Sequence, residues 1–284
     1  MINVRDLDFQ YHKSANKAIK GISFDIGQGE VFGFLGPSGS GKTTTQRILI
    51  GLLRGYNGSI NVLSKERREW GRDFFERIGV AFDFPNLYLK LSAYENLKVI
   101  GAYYQNCQTH IDALLDRVGL MPYRDQRVEG FSKGMKMRLN FVRAILHNPE
   151  LLFLDEPTSG LDPVNAKTIK DIILEQKKQG RTIFLTTHNM TVAEQLCDRV
   201  AFLVDGRILV SDSPANLKLQ YGRKLVKVTY EENNMICEEI YPLDGIGQNE
   251  EFTALLKNHP VQTIHSQEAS LEEIFIKLTG RELI

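Results

Sequence analysis

The sequence has little cysteine and no long run of apolar side chains. Its three cysteines, Cys107, Cys197 and Cys237, stand far apart and form no CxxC pair, which argues against a disulfide framework or a zinc site and indicates a reducing compartment. No apolar run approaches the roughly 20 residues that cross a bilayer. The first ten residues, MINVRDLDFQ, lack the apolar core of a signal peptide. We therefore expect a cytoplasmic chain, unless a partner holds it at a membrane.

An excess of charge of either sign is also missing. Lysine and arginine number 35, aspartate and glutamate number 35, and the formal net charge is zero. Since nucleic-acid-binding domains are usually basic, no nucleic-acid partner is expected. Apolar residues make up 42% and charged residues 25%, which excludes a disordered or collagen-like chain. At about 150 residues per domain, 284 residues predict one large domain, or one domain with a small appendage.

The most specific pattern is a glycine-rich loop. An apolar segment, residues 30–35, leads into GPSGSGKT at residues 36–43, which matches GxxxxGK[ST] at every position. Backbone N–H groups of such a loop surround phosphates, Lys42 can reach the β- and γ-phosphates, and the hydroxyl of Thr43 can bind Mg²⁺. The residues expected to contact the nucleotide here are Gly36, Pro37, Ser38, Gly39, Ser40, Gly41, Lys42, Thr43 and Thr44.

A second pattern is an apolar run that ends in two carboxylates, LLFLDE at residues 151–156. Asp155, at the end of a buried strand, is placed to hold the Mg²⁺ of a bound nucleotide. Glu156 can polarise the water that attacks the γ-phosphate. Alone, the pattern equally fits an ordinary strand followed by a polar turn. The phosphate loop upstream favours the functional interpretation.

Hydrophobic periodicity predicts an α/β fold with a parallel sheet. Strands are expected at residues 2–9, 19–26, 31–35, 78–82, 151–154 and 181–187, and helices at 42–53 and 163–179, with mostly helical structure at 92–148. Past Gly206 the pattern changes, and we expect a boundary near residues 212–222. Beyond it we expect strands at 224–230 and 261–265, and a last helix opened by a capping box at Ser270.

In this order, the motifs resemble the nucleotide-binding subunit of an ATP-binding-cassette (ABC) transporter over residues 1 to about 212. The resemblance implies a P-loop NTPase core with a mixed sheet and a helical subdomain at about residues 86–148. It implies ATP and Mg²⁺ as cofactors, with Lys42, Glu156 and His188 as catalytic residues. SGLD at residues 159–162 resembles the D-loop of the family, which would bring Asp162 to the nucleotide. Tyr11 stands where the family stacks an aromatic ring on adenine.

The segment FSKGM at residues 131–135 occupies the place of the family signature LSGGQ. In the family this segment opens a helix and meets the γ-phosphate of ATP on the opposite subunit. Ser132 and Gly134 are retained, and both are expected to contact nucleotide. Lys133 and Met135 depart from the consensus. An ordinary serine-capped amphipathic helix remains the alternative for this segment.

A second departure concerns the glutamine that the family places after the strand at residues 78–82. Asp83 stands there instead, with no glutamine nearby. It is expected as a ligand of Mg²⁺, directly or through water, although it adds negative charge beside Asp155 and Glu156. The apolar side chains that follow it at residues 84–88 are core residues or, if exposed, a groove for a partner.

Residues 213–284 resemble the small α+β C-terminal extension of bacterial drug- and antibiotic-exporter ATPases, through SLEEIF at 270–275 and KLTG at 277–280. The resemblance implies an ATPase that energises transport, with export favoured. It also implies a second copy of the chain, or a related cassette, in an ATP-sandwich dimer, and a separately encoded transmembrane permease at the inner face of the cell membrane. Two alternatives stay open: a regulatory cassette that closes on ATP with little hydrolysis, and a non-transport ABC protein that acts on nucleic acid or the ribosome.

Overall fold

The structure is a computed structural model that describes residues 1–12, 14–105, 107, 110–222, 224–267 and 269–280. The chain divides into two compact units, one of residues Met1–Ser213 and a second that begins at Pro214. The last four residues of the expected extension, 281–284, lie outside the described residues.

The first unit alternates strands and helices. Its strands are β1 (Ile2–Phe9), β2 (Ile19–Ile26), β3 (Val31–Leu35), β4 (Asn57–Val62), β5 (Lys65–Glu66), β6 (Ile78–Ala81), β7 (Leu151–Asp155), β8 (Thr182–Thr187), β9 (Arg199–Val204) and β10 (Arg207–Asp212). Its helices are α1 (Lys42–Ile50), α2 (Asp73–Arg77), α3 (Ala93–Gly101), α4 (Ile111–Arg117), α5 (Lys133–Ile145), α6 (Pro163–Lys178) and α7 (Met190–Leu196). Short 3-10 turns lie at Arg67–Glu69, Met121–Tyr123 and Val128–Gly130.

The central sheet has six strands in the order β10-β9-β3-β8-β7-β6. Five strands run parallel, and β10 pairs antiparallel with β9. Leu35 pairs with Thr187, Thr186 with Asp155, and Leu154 with Ala81. The carboxyl ends of β3, β8, β7 and β6 therefore meet at one edge, where ligands of open α/β sheets bind.

A second, antiparallel sheet with the strand order β2-β1-β4-β5 packs against the first. Aromatic rings join the two sheets: Phe24 of β2 lies 5.7 Å from Phe32, 5.2 Å from Phe34 and 6.4 Å from Phe184, centroid to centroid. All four side chains are buried. This aromatic layer holds together β3, which leads into the phosphate loop, and β8, which is followed by His188.

Helix α1 is shorter than the sequence predicts. It ends at Ile50, followed by Gly51 at φ 87°, instead of continuing to residue 53. The reason is Arg67, whose guanidinium donates to the carbonyls of Leu49 (3.0 Å) and Ile50 (2.5 Å). A Cβ at residue 51 would overlap that guanidinium, at 1.8 Å from Nη2. A side chain 17 and 18 positions downstream of these carbonyls thus replaces the next helical turn as their partner.

Helices α3 to α5 fill most of the expected helical subdomain. Ser92 and Glu95 form a capping box at the start of α3. The buried Asn96 amide accepts from the backbone N–H of Tyr88 (2.8 Å) and donates to its carbonyl (3.0 Å). The segment between β6 and α3 is therefore held at its C-terminal end by α3.

The second unit contains α8 (Pro214–Tyr221), β11 (Leu225–Glu232), β12 (Met235–Pro242), α9 (Glu250–Asn258), β13 (Val261–Gln267) and α10 (Leu271–Thr279). Its strands form an antiparallel sheet in the order β12-β11-β13, around a small core of Val226, Val228, Tyr230, Tyr241 and Leu255. The predicted capping box of Ser270 and Glu273 opens α10. The sequence pattern missed β12 and α9. Among the described residues, no helix is long and apolar enough to span a membrane.

Candidate functional site

The GPSGSGKT segment forms the turn between β3 and α1, with Thr43 and Thr44 in the first turn of the helix. Two glycines are required there. A Cβ at Gly36 would lie 2.1 Å from the carbonyl oxygen of Leu203, and Gly41 has a φ of 111° that L side chains rarely adopt. The turn leads into the N-terminus of α1, whose free N–H groups attract anions.

Lys42 is folded back onto this loop. Its Nζ donates to the carbonyls of Gly36 (2.7 Å) and Pro37 (3.0 Å). Burial lowers the pKa of Lys42, while the charges of Glu156 and Asp155 act in the opposite direction. Phosphate oxygens are stronger acceptors than carbonyls for an ammonium group. The side chain is therefore placed to exchange these carbonyls for a phosphate.

Asp155 closes β7 and faces the start of α1. Its carboxylate accepts from the hydroxyl of Thr43 (3.1 Å) and from the hydroxyl of Thr186 on the neighbouring strand. Burial raises the pKa of Asp155, and the charges of Asp83 and Glu156 raise it further, whereas the two threonine hydrogen bonds lower it. This carboxyl group thus sits where a nearby cation would stabilise its ionised form.

Both carboxylate oxygens of Glu156 are held in place. Oε1 accepts from the backbone N–H of His188 (2.8 Å) and lies 2.6 Å from its Nδ1, and Oε2 accepts from the hydroxyl of Thr187 (2.9 Å). The residue also has a left-handed φ of 49°, a conformation that costs a glutamate about 1 kcal/mol or more. The carboxylate is therefore oriented by the last residue of β8, Thr187, and by His188, which follows it.

Asp83 follows β6 at the same edge of the sheet. It is exposed, and its charge contributes to the raised pKa of Asp155. Helix α5 anchors the chain on either side of it, because Asn140 Nδ2 donates to the carbonyl of Phe82 (2.8 Å) and Arg143 donates to the carbonyl of Asn86 (2.5 Å). Asp83, the expected additional ligand of Mg²⁺, therefore lies near the carboxylate of Asp155.

The residues present fit a magnesium–phosphate group. The hydroxyl of Thr43 and the carboxylate of Asp155 converge at 3.1 Å and supply the hard oxygen ligands that Mg²⁺ prefers. The buried hydroxyl of Ser40 has no hydrogen-bond partner in the described part of the chain, so the loop also offers a free polar group to a ligand. Among the described residues, no group of three or more His, Cys, Asp or Glu side chains forms a metal site of its own.

Tyr11 lies beside the phosphate loop. Its hydroxyl is 3.0 Å from the hydroxyl of Thr44, and its ring packs edge-on against Phe9 at 5.0 Å. Tyr11 is 40% exposed, so part of its side chain is accessible to a ligand.

The signature-like residues form a second group with the D-loop-like segment. Ser132 caps α5, accepting from the N–H of Met135 (3.2 Å), and confirms the predicted helix start. A Cβ at Gly134 would lie 3.5 Å from the side chain of Leu161. Asp162 caps α6 through the N–H groups of the residues two and three positions on.

Sequence reasoning missed Thr186 and Thr187 as parts of the site. Both are buried at the end of β8, and their hydroxyls contact Asp155 and Glu156, respectively. The available signal was that two hydroxyl residues directly precede His188 at the end of an apolar strand. Recognising it required knowing that β8 lies next to β7.

Comparisons with known proteins identify the family of the chain. Residues 19–159 match the ABC transporter family, and residues 224–268 match the fluoroquinolone efflux ABC transporter C-terminal domain. A fluoroquinolones export ATP-binding protein of Mycobacterium tuberculosis is 52% identical over 284 residues, which cover 100% of this chain and 94% of the relative. The chain belongs to the ATP-binding subunits of ABC transporters. It is the ATP-binding subunit of an efflux system, an ABC ATPase coupled to transport.

Solved structures support the ABC fold. An ATP-binding subunit of an ABC transporter superposes with a TM-score of 0.72 at 25% identity, over 98% of this chain and 99% of that one. A dimeric ATP-binding cassette in a post-hydrolysis state, bound to ADP and phosphate, superposes with a TM-score of 0.68 at 24% identity, over 75% of this chain and 98% of that one. The P-loop NTPase core and the added antiparallel extension of this ABC subunit are thereby established.

Proposed function

We propose that this ABC subunit hydrolyses Mg·ATP between two cassettes and drives the export of drugs of the fluoroquinolone class through a separately encoded permease at the inner face of the cell membrane. The observation that carries the hydrolytic part is the fixed carboxylate of Glu156, held between Thr187 and His188. The name of the mycobacterial relative and the matched C-terminal domain support the class of cargo.

Glu156 acts as the general base. A carboxylate whose two oxygens are oriented by neighbours can take a proton from an attacking water without first losing conformational freedom. His188, 57% exposed at its side chain, has a ring that also reaches solvent, where a γ-phosphate would lie. Lys42 binds the phosphates, since its ammonium is already inside the loop.

Thr43 and Asp155 hold Mg²⁺, and Asp83 adds a third oxygen donor directly or through water. Mg²⁺ would neutralise phosphate charge during transfer. The raised pKa of Asp155 supports this assignment, because it reflects a buried carboxyl with two like charges nearby and no cationic side chain among its named hydrogen-bond partners.

The second cassette supplies the signature-like residues. Ser132 and Gly134 stand at the N-terminus of α5, a 13-residue helix whose free N–H groups favour an anion. The D-loop-like segment packs beside them. These features support an ATP sandwich in which each phosphate loop faces Ser132 of the other copy.

The permease docks on the segment after β6. Phe84 is 72% and Tyr88 48% exposed, and apolar side chains exposed together indicate a surface that a partner covers. Arg143 and Asn140 connect this segment to α5, the helix that Ser132 caps. Closure of two cassettes around ATP would therefore move the segment that the permease contacts.

The test is the mass of purified Glu156→Gln protein by light scattering, with and without Mg·ATP, together with its ATP turnover. We expect no hydrolysis, retained ATP affinity and an ATP-dependent dimer of twice 32.3 kDa. Glu232→Gln, an exposed change in β11, is the control and keeps wild-type turnover. Turnover of Glu156→Gln at the wild-type rate would contradict the assigned base. An ATP-bound monomer would contradict the sandwich.

A regulatory cassette with little hydrolysis is the second candidate: Lys133, Met135 and Asp83, which replace family residues, leave it open, whereas Glu156 and His188 speak against it. The deciding measurement is ATP turnover of the wild-type subunit in membranes that contain its permease. Fluoroquinolone efflux from the same vesicles tests the cargo. Efflux that continues with Glu156→Gln would rule out hydrolysis as its energy source.

A further inference from the structure

A cavity of about 580 Å³ lies at the C-terminal end of α1, opposite the end that carries the phosphate loop. Its volume falls within the range of small-molecule sites. Its walls come from α1, the turn after it, the 3-10 turn and α2. The lining residues include Arg54, Arg67, Arg68, Trp70, Arg72 and Phe75.

Positive charge dominates this cavity. Four arginines line it, and no acidic residue is among the described lining residues. The charge of Arg54 lowers the pKa of Arg67, in addition to the larger effect of burial, so the two guanidinium groups repel each other. The nearby carboxylate of Glu66 is engaged elsewhere, by the N–H of Ile60 (3.2 Å) and the hydroxyl of Tyr56 (3.3 Å).

Two of the arginines are committed to the fold. Arg67 binds the last carbonyls of α1 and stacks on Phe74 at 4.0 Å. Arg68 donates to the carbonyl of Tyr56 (2.6 Å) and stacks on its ring at 4.1 Å. These contacts fix the positive wall of the cavity without neutralising it.

The other two arginines are free. The side chains of Arg54 and Arg72 are exposed and make no hydrogen bond or ion pair in the part of the chain that the structure describes. A guanidinium offers five N–H donors in a planar fork that matches carboxylate and phosphate oxygens. Both side chains can therefore bind an anion without breaking an existing contact.

Flat apolar surface completes the cavity. The indole N–H of Trp70 donates to the carbonyl of Val62 (2.8 Å), and Lys65 and Arg77 lie 5.1 Å and 5.4 Å from the centroid of its ring, so the indole is a fixed aromatic part of the wall. Phe75 is 44% exposed although it lines the cavity. Aromatic rings of this kind pack on planar ligands.

We propose that this cavity binds a small organic anion that combines an aromatic body with a carboxylate or phosphate group. Arg54 and Arg72 contact the anionic group, and Trp70 and Phe75 pack on the aromatic body. The site is separate from the nucleotide loop and does not depend on ATP hydrolysis.

Isothermal titration of the full chain tests this, with 2-naphthoate, 2-naphthyl phosphate, the neutral 2-naphthamide and inorganic phosphate as ligands. We expect 2-naphthoate or 2-naphthyl phosphate to bind one to one with a dissociation constant below about 1 mM. The one that binds more tightly identifies the preferred anionic group. Naphthamide and inorganic phosphate should each bind at least about tenfold more weakly, because naphthamide lacks the anionic group and inorganic phosphate lacks the aromatic body.

Arg54→Gln and Arg72→Gln should each weaken binding about tenfold, as expected for loss of a charge-assisted hydrogen bond. Because both side chains are exposed, the variants are expected to fold. Phe75→Ala should weaken the naphthyl anions and leave inorganic phosphate unchanged. Arg127→Gln, 69% exposed at its side chain in the helical subdomain, is the matched control and should bind like the wild type.

Lys42→Ala separates this site from the nucleotide loop and should not change naphthyl anion binding. Loss of binding in that variant would assign the ligand to the nucleotide loop and overturn the proposal. So would no saturable binding of either naphthyl anion below about 1 mM, equal binding of naphthamide, or equal binding of inorganic phosphate.

Discussion

The ring of His188 lies 2.6 Å from the carboxylate of Glu156, between Nδ1 and Oε1, and the backbone N–H of the same histidine donates to the same oxygen at 2.8 Å. Glu156 directly follows β7 and His188 directly follows the neighbouring strand β8, 32 positions later in the sequence. The histidine therefore orients the carboxylate twice, once through its ring and once through its backbone. Only the first contact can be removed by mutation of the side chain.

His188→Ala should lower ATP turnover by about 10²-fold, because the carboxylate loses one orienting contact and the γ-phosphate loses a polar neighbour. ATP affinity should change by no more than about threefold. Thr187→Val, which removes only the contact to Oε2, is the comparison and should cost less. Steady-state turnover and ATP titrations measure both quantities. Wild-type turnover of His188→Ala would contradict its assigned role.

Lys42→Ala should weaken ATP binding by about 10- to 150-fold, since a hydrogen bond to a charged group contributes about 1.5–3 kcal/mol. Fluorescence titration with a labelled ATP analogue gives the affinity. Lys167→Ala, an exposed lysine on α6, removes the same charge at a distance and should bind like the wild type. Equal affinity of the two variants would show that the Lys42 ammonium does not contact the phosphates.

Mg²⁺-dependent ATP affinity should fall on acidification at a pH above that expected for an ordinary aspartate. Burial and two neighbouring carboxylates raise the pKa of Asp155 from its ordinary 3.8, and only the ionised form holds the metal well. Asp83→Asn removes one of those carboxylates, so the decline should move to lower pH. Titrations between pH 7 and pH 5, with and without Mg²⁺, follow it. If Asp83→Asn left the pH of this loss of affinity unchanged, Asp83 would not be raising the pKa of Asp155.

Phe84→Ala should reduce permease-dependent transport by about tenfold, while ATP affinity and thermal stability of the isolated subunit stay unchanged, because the ring is 72% exposed. Tyr103→Ala removes a ring of similar exposure, 70%, outside the segment that follows β6. Co-purification with the permease and transport in vesicles measure the effect. Equal transport by the two variants would show that Phe84 is not part of the docking surface.

The stability of the subunit should depend on His147 as the pH falls below neutrality. Its ring stacks on Tyr104 at 3.7 Å, Nε2 lies 2.9 Å from the carbonyl of Ile78, and burial lowers its pKa below 6.5. Between the lowered pKa of the folded chain and 6.5, the ordinary value, the unfolded chain binds more protons than the folded chain. The free energy of unfolding therefore rises with pH in that window, and the contribution of His147 is lost as the pH falls through it.

Urea unfolding at pH 7.5 and pH 5.5 tests this dependence. His147→Gln should lose less stability on acidification than the wild type, whereas His110→Gln, an exposed histidine, should behave like the wild type. The same loss in all three proteins would assign the pH dependence to other groups.

Much of the site was predictable because its residues follow local rules. The phosphate loop is a contiguous motif, and Asp155 and Glu156 follow an apolar strand directly. The caps at Ser132, Asp162 and Ser270 obey the preference of helix starts for short polar side chains. Each of these features depends on residues within a few positions of one another.

The end of α1 and the role of the β8 threonines were not predictable in this way. Helical periodicity continues past Ile50, but Arg67 donates hydrogen bonds to the last carbonyls of the helix. No local sequence pattern predicts that contact. Thr187 and Glu156 meet only because β8 lies beside β7 in the sheet. Strand order in a parallel sheet is set by crossover connections of a dozen or more residues.

The sequence by itself determined which groups this protein brings to a nucleotide: a glycine-rich loop with Lys42 and Thr43, and two carboxylates at a strand end. Tertiary structure decided how they act together. It oriented Glu156 through His188 and raised the pKa of Asp155 through burial and Asp83. It also gathered the arginines at the far end of α1 around one cavity. The physical reason is that motifs are properties of neighbouring residues, whereas desolvation, hydrogen-bond geometry and electrostatic fields depend on the distances that packing creates.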